Sequence, residues 1–287
     1  MIASPPQNRR LSRIARARAR YARNVAAQGG EAFRGPLEAA FRRVPRELFL
    51  GPPPWFAVTD GGYVAVPRDD PVRVYQDALF ALDRAKGINN GEPTLHARML
   101  AALNPHLGDH VAHIGAGTGY YSAILAELVG PQGRVVGYEI EPELAARART
   151  YLAGWSNIEV RSQSAAGVKL PAVDGIYVNA GATRPEPCWL DALKEEGGLV
   201  FPLVTADGWG VMLKARKRGD AFDVDLINRV RFIPCTGVSD EAEGEAVARA
   251  FRSGELFDAR SLHRGNAHDS SCVLTGKGWW LSNRPVQ

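Results

Sequence analysis

Apolar residues through the middle of the chain alternate between two rhythms. HVAHI (110–114), RVVGYE (134–139), NIEVRSQ (Asn157–Gln163), DGIYVNAG (Asp174–Gly181) and GGLVFPLV (Gly197–Val204) are short apolar runs of strand length. Helical patterns stand between them: YYSAILAELVG after the first, PELAARARTYL after the second and CWLDALKEE before the fifth. Such alternation predicts an α/β fold with a parallel sheet. It stops near residue 205. GWGVMLKARKR and FDVDLINRVRFI then read as two long strands joined at a Gly-Asp turn, an antiparallel hairpin. The expected sheet is therefore seven-stranded and Rossmann-like, mostly parallel with an antiparallel last strand. Upstream, Leu37, Ala40, Phe41 and Val44 recur at helical spacing up to Pro45, and TLHARMLAALNP predicts another helix. Asp60–Arg84 reads as irregular and GINNGEP (Gly87–Pro93) as a loop. Downstream, EAEGEAVARAFRSG predicts a helix ahead of a tail with Trp279 and Trp280. The expected divisions are an arm (1–30), a cap of helices and loops holding the loop 87–93 (31–109), the Rossmann-like domain (110–235) and a C-terminal extension (236–287).

Within this pattern, Gly115, Gly117 and Gly119 separate the first strand from its helix. They let the backbone turn sharply and a ligand approach, at the positive end of the helix dipole. Glu139 ends the second strand about twenty residues later, where nucleotide-binding α/β folds hold a ribose. The turn thus predicts a nucleoside-bearing cofactor. The dinucleotide fingerprint G-x-G-x-x-G would place its third glycine one residue later, where Tyr120 stands. The observed G-x-G-x-G spacing resembles the first motif of S-adenosylmethionine (SAM)-dependent methyltransferases, whose cofactor carries no phosphate.

Charge alters the picture at one end only. The formal net charge is +4, yet the first thirty residues hold seven arginines and no acid, so the remainder stands at −3. Leu11, Ile14, Tyr21 and Val25 fall on one side of a helix there, interrupted by Arg18. The arm is expected to pack on the body or on a second copy of the chain, as a homodimer. An RNA-binding arm ranks lower because no aromatics interleave with the arginines, and a mitochondrial transit peptide ranks last. Three separated cysteines without a C-x-x-C pair point to a reducing compartment. No run approaches membrane-spanning length and no signal peptide is read, so a cytoplasmic protein is expected. His106, His110 and His113 share no helical face, being broken by Pro105 and Gly108-Asp109, so no metal site is expected.

Four segments carry a more specific resemblance. VPRELF (Val44–Phe49), VYQDALF (Val74–Phe80), HIGAGTGYYSAILAELVGPQGRVVGYEIEPELAARA and EEGGLVFPLV resemble the protein-L-isoaspartate O-methyltransferase family over roughly residues 35–205. The resemblance implies the class I methyltransferase sheet, SAM as cofactor, and transfer of its methyl to a carboxylate of a peptide, protein or small molecule. By position, Gly115, Ala116, Gly117, Gly119 and Tyr120 would line the cofactor and Glu139 with Ile140 would hold its ribose. Ser164 and Ala165 would face the adenine, where the family has Gly-Asp-Gly. Ile88 and Asn179 would complete that site, Asn179 replacing a family threonine. The family's G-Q-T-I-S-x-P loop, whose serine lies beside the transferred methyl, aligns with Gly87–Pro93. Asn89-Asn90 replace Thr-Ile, Gly91 replaces the serine, and His113 replaces an acid before the glycines. His96 matches a histidine that often follows the loop.

Methyl transfer from a sulfonium is an in-line displacement, so alignment of the reacting atoms dominates. A carboxylate is already ionised and needs oriented donors, not a base. By their place in that alignment, the resemblance makes Asn89, Asn90, Gly91 and His96 the catalytic candidates, with the two amides as donors; Asn-Asn-Gly alternatively reads as a plain tight turn. An alcohol or amine acceptor would need a base, for which His96 and His113 are the candidates. A different acceptor, or SAM binding without turnover, are the competing functional readings. Nucleic acid and membrane are not expected partners.

Overall fold

The computed structural model describes residues 5–67, 70–235 and 237–286. Helices α1 (Pro5–Ala26), α2 (Glu31–Arg43) and α3 (Arg46–Phe49) open the chain. Two small hairpins follow, β1 (Phe56–Thr59) with β2 (Gly62–Ala65) and β3 (Ala81–Asp83) with β4 (Ile88–Asn89). After α4 (Pro93–Leu103) the alternation begins: β5 (His110–Ile114), α5 (Tyr120–Val129), β6 (Arg134–Glu139), α6 (Pro142–Tyr151), β7 (Ile158–Ser162), β8 (Val173–Val178), α7 (Pro187–Ala192) and β9 (Leu193–Val204). The chain ends in β10 (Trp209–Arg218), β11 (Ala221–Arg231), α8 (Glu241–Ser253), β12 (Ser261–Arg264), β13 (Cys272–Gly276) and β14 (Trp279–Ser282).

The expected α/β sheet is present and longer than seven strands. Its order is β7-β6-β5-β8-β9-β10-β11-β12-β14-β13. The five strands from β7 to β9 are parallel. β10 runs against β9, and β11 returns against β10, so the reversed strand is the sixth and not the seventh. The tail expected after the last helix adds three antiparallel strands beyond β11, paired through Phe222↔Leu262 and Asp223↔Ser261. They bury Leu262, Trp279 and Leu281, and so extend the apolar layer and cover what would be an open edge.

Burial explains the helices. In α5 every residue except Glu127 is buried, because the helix lies between the sheet and α2. In α1, Ala17, Tyr21, Ala22, Val25 and Ala26 enter the same core as Leu37 and Phe41 of α2. The arginine-rich segment therefore packs on its own body. Leu11, expected on the apolar stripe, is 57% exposed, whereas Ile14, one turn on, is packed against the core.

Two local expectations are corrected. The helix read over CWLDALKEE stops at Ala192, and Leu193 begins β9. There Leu193 pairs with Val173, and Lys217 Nζ holds the Leu193 carbonyl at 2.8 Å, so sheet pairing overrides helical propensity. The region from Asp60 to Arg84 is not irregular throughout. It contains β2, a 3₁₀ turn (Pro71–Val74) and β3, held by backbone pairing that no apolar alternation announces.

Sheet order reverses at β5. The chain runs from it to β6 and β7 on one side and continues with β8 and β9 on the other. Ligands of open α/β sheets bind in the crevice outside the strand ends at such a point.

Candidate active site

The turn after β5 occupies that crevice. Gly115 and Ala116 both donate their N–H to the Tyr138 carbonyl, at 2.9 and 3.0 Å, which folds the turn back over β6. Glu139, the last residue of β6, is buried below it. Its carboxylate accepts Gly117 N–H at 2.6 Å on one oxygen and Glu141 N–H at 2.9 Å on the other. Burial pushes its pKa up from the ordinary value, opposed by those backbone donors. Gly119, with φ of 94°, starts α5. A Cβ there would lie 2.6 Å from Leu152 Cδ1, so this glycine lets α5 sit against α6.

Two adjoining cavities open at the turn and share Asn89, Gly115, Gly117, Asn179 and Ile233. The larger, about 380 Å³, is lined by Ile88, Glu139, Ile140, Ser164, Ala165 and Cys235 among others. The smaller, about 170 Å³, is lined by Asn90, Gly91, His96, Ala116, Tyr120 and Tyr121 among others. Every cofactor and catalytic residue expected from the sequence lines one or both, except Gly119, which lies behind the turn; the candidate base His113 lines neither.

The segment 87–93, expected as a loop throughout, gives Ile88 and Asn89 to β4 and Pro93 to α4, and it forms the wall facing the glycines. Asn89 Oδ1 accepts Gly91 N–H at 2.9 Å, closing the tight turn that the sequence admitted as an alternative. Asn90 is tied to Phe80 twice: Oδ1 accepts Phe80 N–H at 2.8 Å, and its own N–H donates to the Phe80 carbonyl at 3.0 Å. Its Nδ2 is buried and has no partner among the described residues. Across the turn, Asn179 places Nδ2 at 2.7 Å from His113 Nε2, and its buried Oδ1 likewise has no partner among them. In the larger cavity Ser164 Oγ accepts Ala166 N–H at 3.0 Å, which leaves its hydroxyl proton free to turn toward a ligand.

Both candidate bases are buried. His96 Nδ1 lies 2.6 Å from the Tyr177 hydroxyl, and its ring stacks on Tyr121 with centroids 3.7 Å apart. His113 is fixed between Ser122 Oγ, 2.7 Å from Nδ1, and Asn179. Desolvation lowers the pKa of His96 well below its ordinary value and that of His113 to about 3. Two neutral imidazoles of such low basicity suit shaping a wall better than taking a proton.

Several residues on these walls escaped sequence reasoning. Tyr121 stands beside the recognised Tyr120 and lines the smaller cavity. Thr118 anchors the turn to α3, donating to the Phe49 carbonyl at 2.6 Å. Arg231, Phe232 and Ile233 close the far side as the chain leaves β11. That segment is strapped to the residue after Ala180: Gly181 N–H donates to the Ile233 carbonyl at 2.8 Å and Cys235 N–H to the Gly181 carbonyl at 2.6 Å. Arg46 lies further back, fully buried. Its guanidinium donates to the carbonyls of Val74, Gln76 and Ala78 at 2.6–2.9 Å and lies over the Phe80 ring. VPRELF contained the signal, an arginine among apolar residues, but nothing in it names the three carbonyls.

A family model for protein-L-isoaspartate(D-aspartate) O-methyltransferase matches residues 62–240. The chain belongs to this family. It is 32% identical to the protein-L-isoaspartate O-methyltransferase of Ignicoccus hospitalis over 216 residues, 74% of this chain and 93% of that one. It is also 32% identical over 203 residues to protein-L-isoaspartate O-methyltransferase 2 of Archaeoglobus fulgidus, covering 69% and 84%. Solved structures agree on the fold. One protein-L-isoaspartate O-methyltransferase superposes with a TM-score of 0.60 at 23% identity, covering 75% of this chain and 64% of that one. A putative one from Plasmodium falciparum, in complex with S-adenosyl-L-homocysteine (SAH), gives 0.54 at 19%, covering 69% and 89%. As a member of this family the chain is a SAM-dependent O-methyltransferase.

The residues present fit that cofactor. Glu139 offers carboxylate oxygens for a ribose diol, as the sequence position implied. The orphaned Asn179 Oδ1 is an acceptor that a positively charged amino group would satisfy. The Gly115–Gly117 backbone carries no side chain between them but that of Ala116, so a ligand can lie against it.

Proposed function

We propose that this methyltransferase esterifies the free carboxylate of an isoaspartyl-type residue in a peptide or protein, with that carboxylate held in the smaller cavity. When bound, SAM supplies a methyl group on a sulfonium. The protein's own task is then to hold the acceptor oxygen in line and dry. Glu139, Ser164 and Asn179 would hold the cofactor in the larger cavity. Asn90 would orient the acceptor from the loop side.

The observation that carries the reading is Asn90, a residue lining the smaller cavity whose buried Nδ2 has no partner among the described residues. A buried donor left unmade costs about 1–3 kcal/mol, and a carboxylate is an acceptor-only group that removes the cost. The depressed histidines support the same class of acceptor. A carboxylate needs no deprotonation, whereas an amine or alcohol would need a base that neither ring is suited to provide.

Incubation with methyl-labelled SAM and an isoaspartyl peptide should yield a base-labile methyl ester, with the normal aspartyl peptide unlabelled. Label that survives base, carried on an amine or alcohol, would replace this reading with another acceptor class.

A further inference from the structure

Around the start of α5 four phenols crowd together, and three of them are accounted for. Tyr21 and Tyr120 place their hydroxyls 3.3 Å apart. Tyr177 meets His96 at 2.6 Å. The fourth, Tyr121, has a buried hydroxyl with no partner among the described residues, and the residue lines the smaller cavity. Its ring is not free to turn away. It stacks on His96 at 3.7 Å with planes 9° apart, and it meets Tyr120 edge-on at 5.0 Å. His96 in turn is held by Tyr177 and by the backbone at Gly91, where a Cβ would come within 2.0 Å of Nε2. No side chain reaches into the cavity from residue 91, so the donors on this side must come from its neighbours.

We infer that the Tyr121 hydroxyl donates a hydrogen bond to the acceptor carboxylate, the second donor beside Asn90 Nδ2, with His96 as the residue that positions it. A carboxylate has two oxygens, and two donors from different walls fix its plane, which a single donor does not. Burial keeps the phenol protonated throughout the working range, so it remains a donor. The inference rests on the carboxylate reading above.

Tyr121→Phe removes one oxygen and leaves the stack intact. If the hydroxyl were only structural, its loss would relieve an unsatisfied group and leave catalysis unchanged. The expected result is a kcat/KM for an isoaspartyl peptide lowered roughly 10–100-fold. SAH affinity by calorimetry should stay within about twofold, and Tm should be unchanged or raised. A wild-type protein that forms ester, with a Tyr121→Phe variant of equal kcat/KM, would overturn the inference alone. Parallel loss of SAH affinity would assign the hydroxyl to the cofactor and also overturn it. A wild-type protein that forms no ester would remove the carboxylate reading, and this inference with it.

Discussion

A side chain at residue 91 and the His96 imidazole compete for one space, since a Cβ on residue 91 would lie 2.0 Å from His96 Nε2. Residue 91 also has φ of 72°, where only glycine is unstrained. Gly91→Ala is therefore expected to cost about 2 kcal/mol or more in urea denaturation. It should also abolish most methyl transfer, because His96 must leave its stack with Tyr121. An unchanged denaturation midpoint would show that the ring turns aside freely.

Glu139 joins the glycine turn to the end of β6 through its two oxygens. Glu139→Gln puts an NH₂ where one of two backbone N–H groups now finds an acceptor. SAH affinity should fall roughly 10–100-fold, equal to about 1.5–3 kcal/mol for charged hydrogen bonds lost. Calorimetry measures it directly; an affinity within twofold of wild type would mean the ribose is held elsewhere.

The two buried histidines make stability depend on pH. His113 titrates near 3 in the fold against its ordinary 6.5, and His96 is shifted the same way by the same desolvation. Between those values the unfolded chain takes up protons that the fold refuses. The stability these two rings contribute is therefore fully present above 6.5 and falls as pH drops below it. Glu139, raised by burial, acts in the opposite sense, and only from its ordinary 4.5 upward. Urea midpoints at about pH 7.5 and about pH 5.5 should differ, and His113→Gln should reduce the difference. Equal midpoints for the wild-type protein would contradict the burial of these rings.

Arg46 donates to three carbonyls at once, those of Val74, Gln76 and Ala78. Phe80, under its guanidinium, holds Asn90, and Asp77 on the same segment accepts from Thr94 N–H and Oγ1 at the start of α4. Arg46→Met should cost several kcal/mol, since each orphaned carbonyl costs about 1–3 kcal/mol. Amide exchange at Phe80 and Asn90 should accelerate before the sheet opens. Exchange that speeds up uniformly across β5 and β8 would instead make Arg46 a general core residue.

Much of this architecture was legible because local pattern and global fold agree. The apolar runs at 110–114 and 134–139, the three glycines and Glu139 each need only their own neighbours to be read. The loop 87–93 was found from its alignment, and its turn chemistry from Asn89 and Gly91. What escaped depends on partners far away in sequence. Arg46 meets residues 28–32 positions on, and His96 meets Tyr121 and Tyr177. No periodicity encodes such meetings. Strands β12–β14 were hidden for a related reason. They are four or five residues long, and short runs beside polar turns carry too little alternation to be distinguished from a tail. Leu193–Glu196 looked helical and became strand through its partners on β8 and the hairpin.

Residues 231–233 line the smaller cavity and 233–235 the larger, while the chain passes from β11 toward α8. The final fifty residues thus follow directly on a stretch of chain that walls both cavities, without lining either themselves. A graft or trim made at that stretch to change the protein's size would also redraw the walls of both cavities.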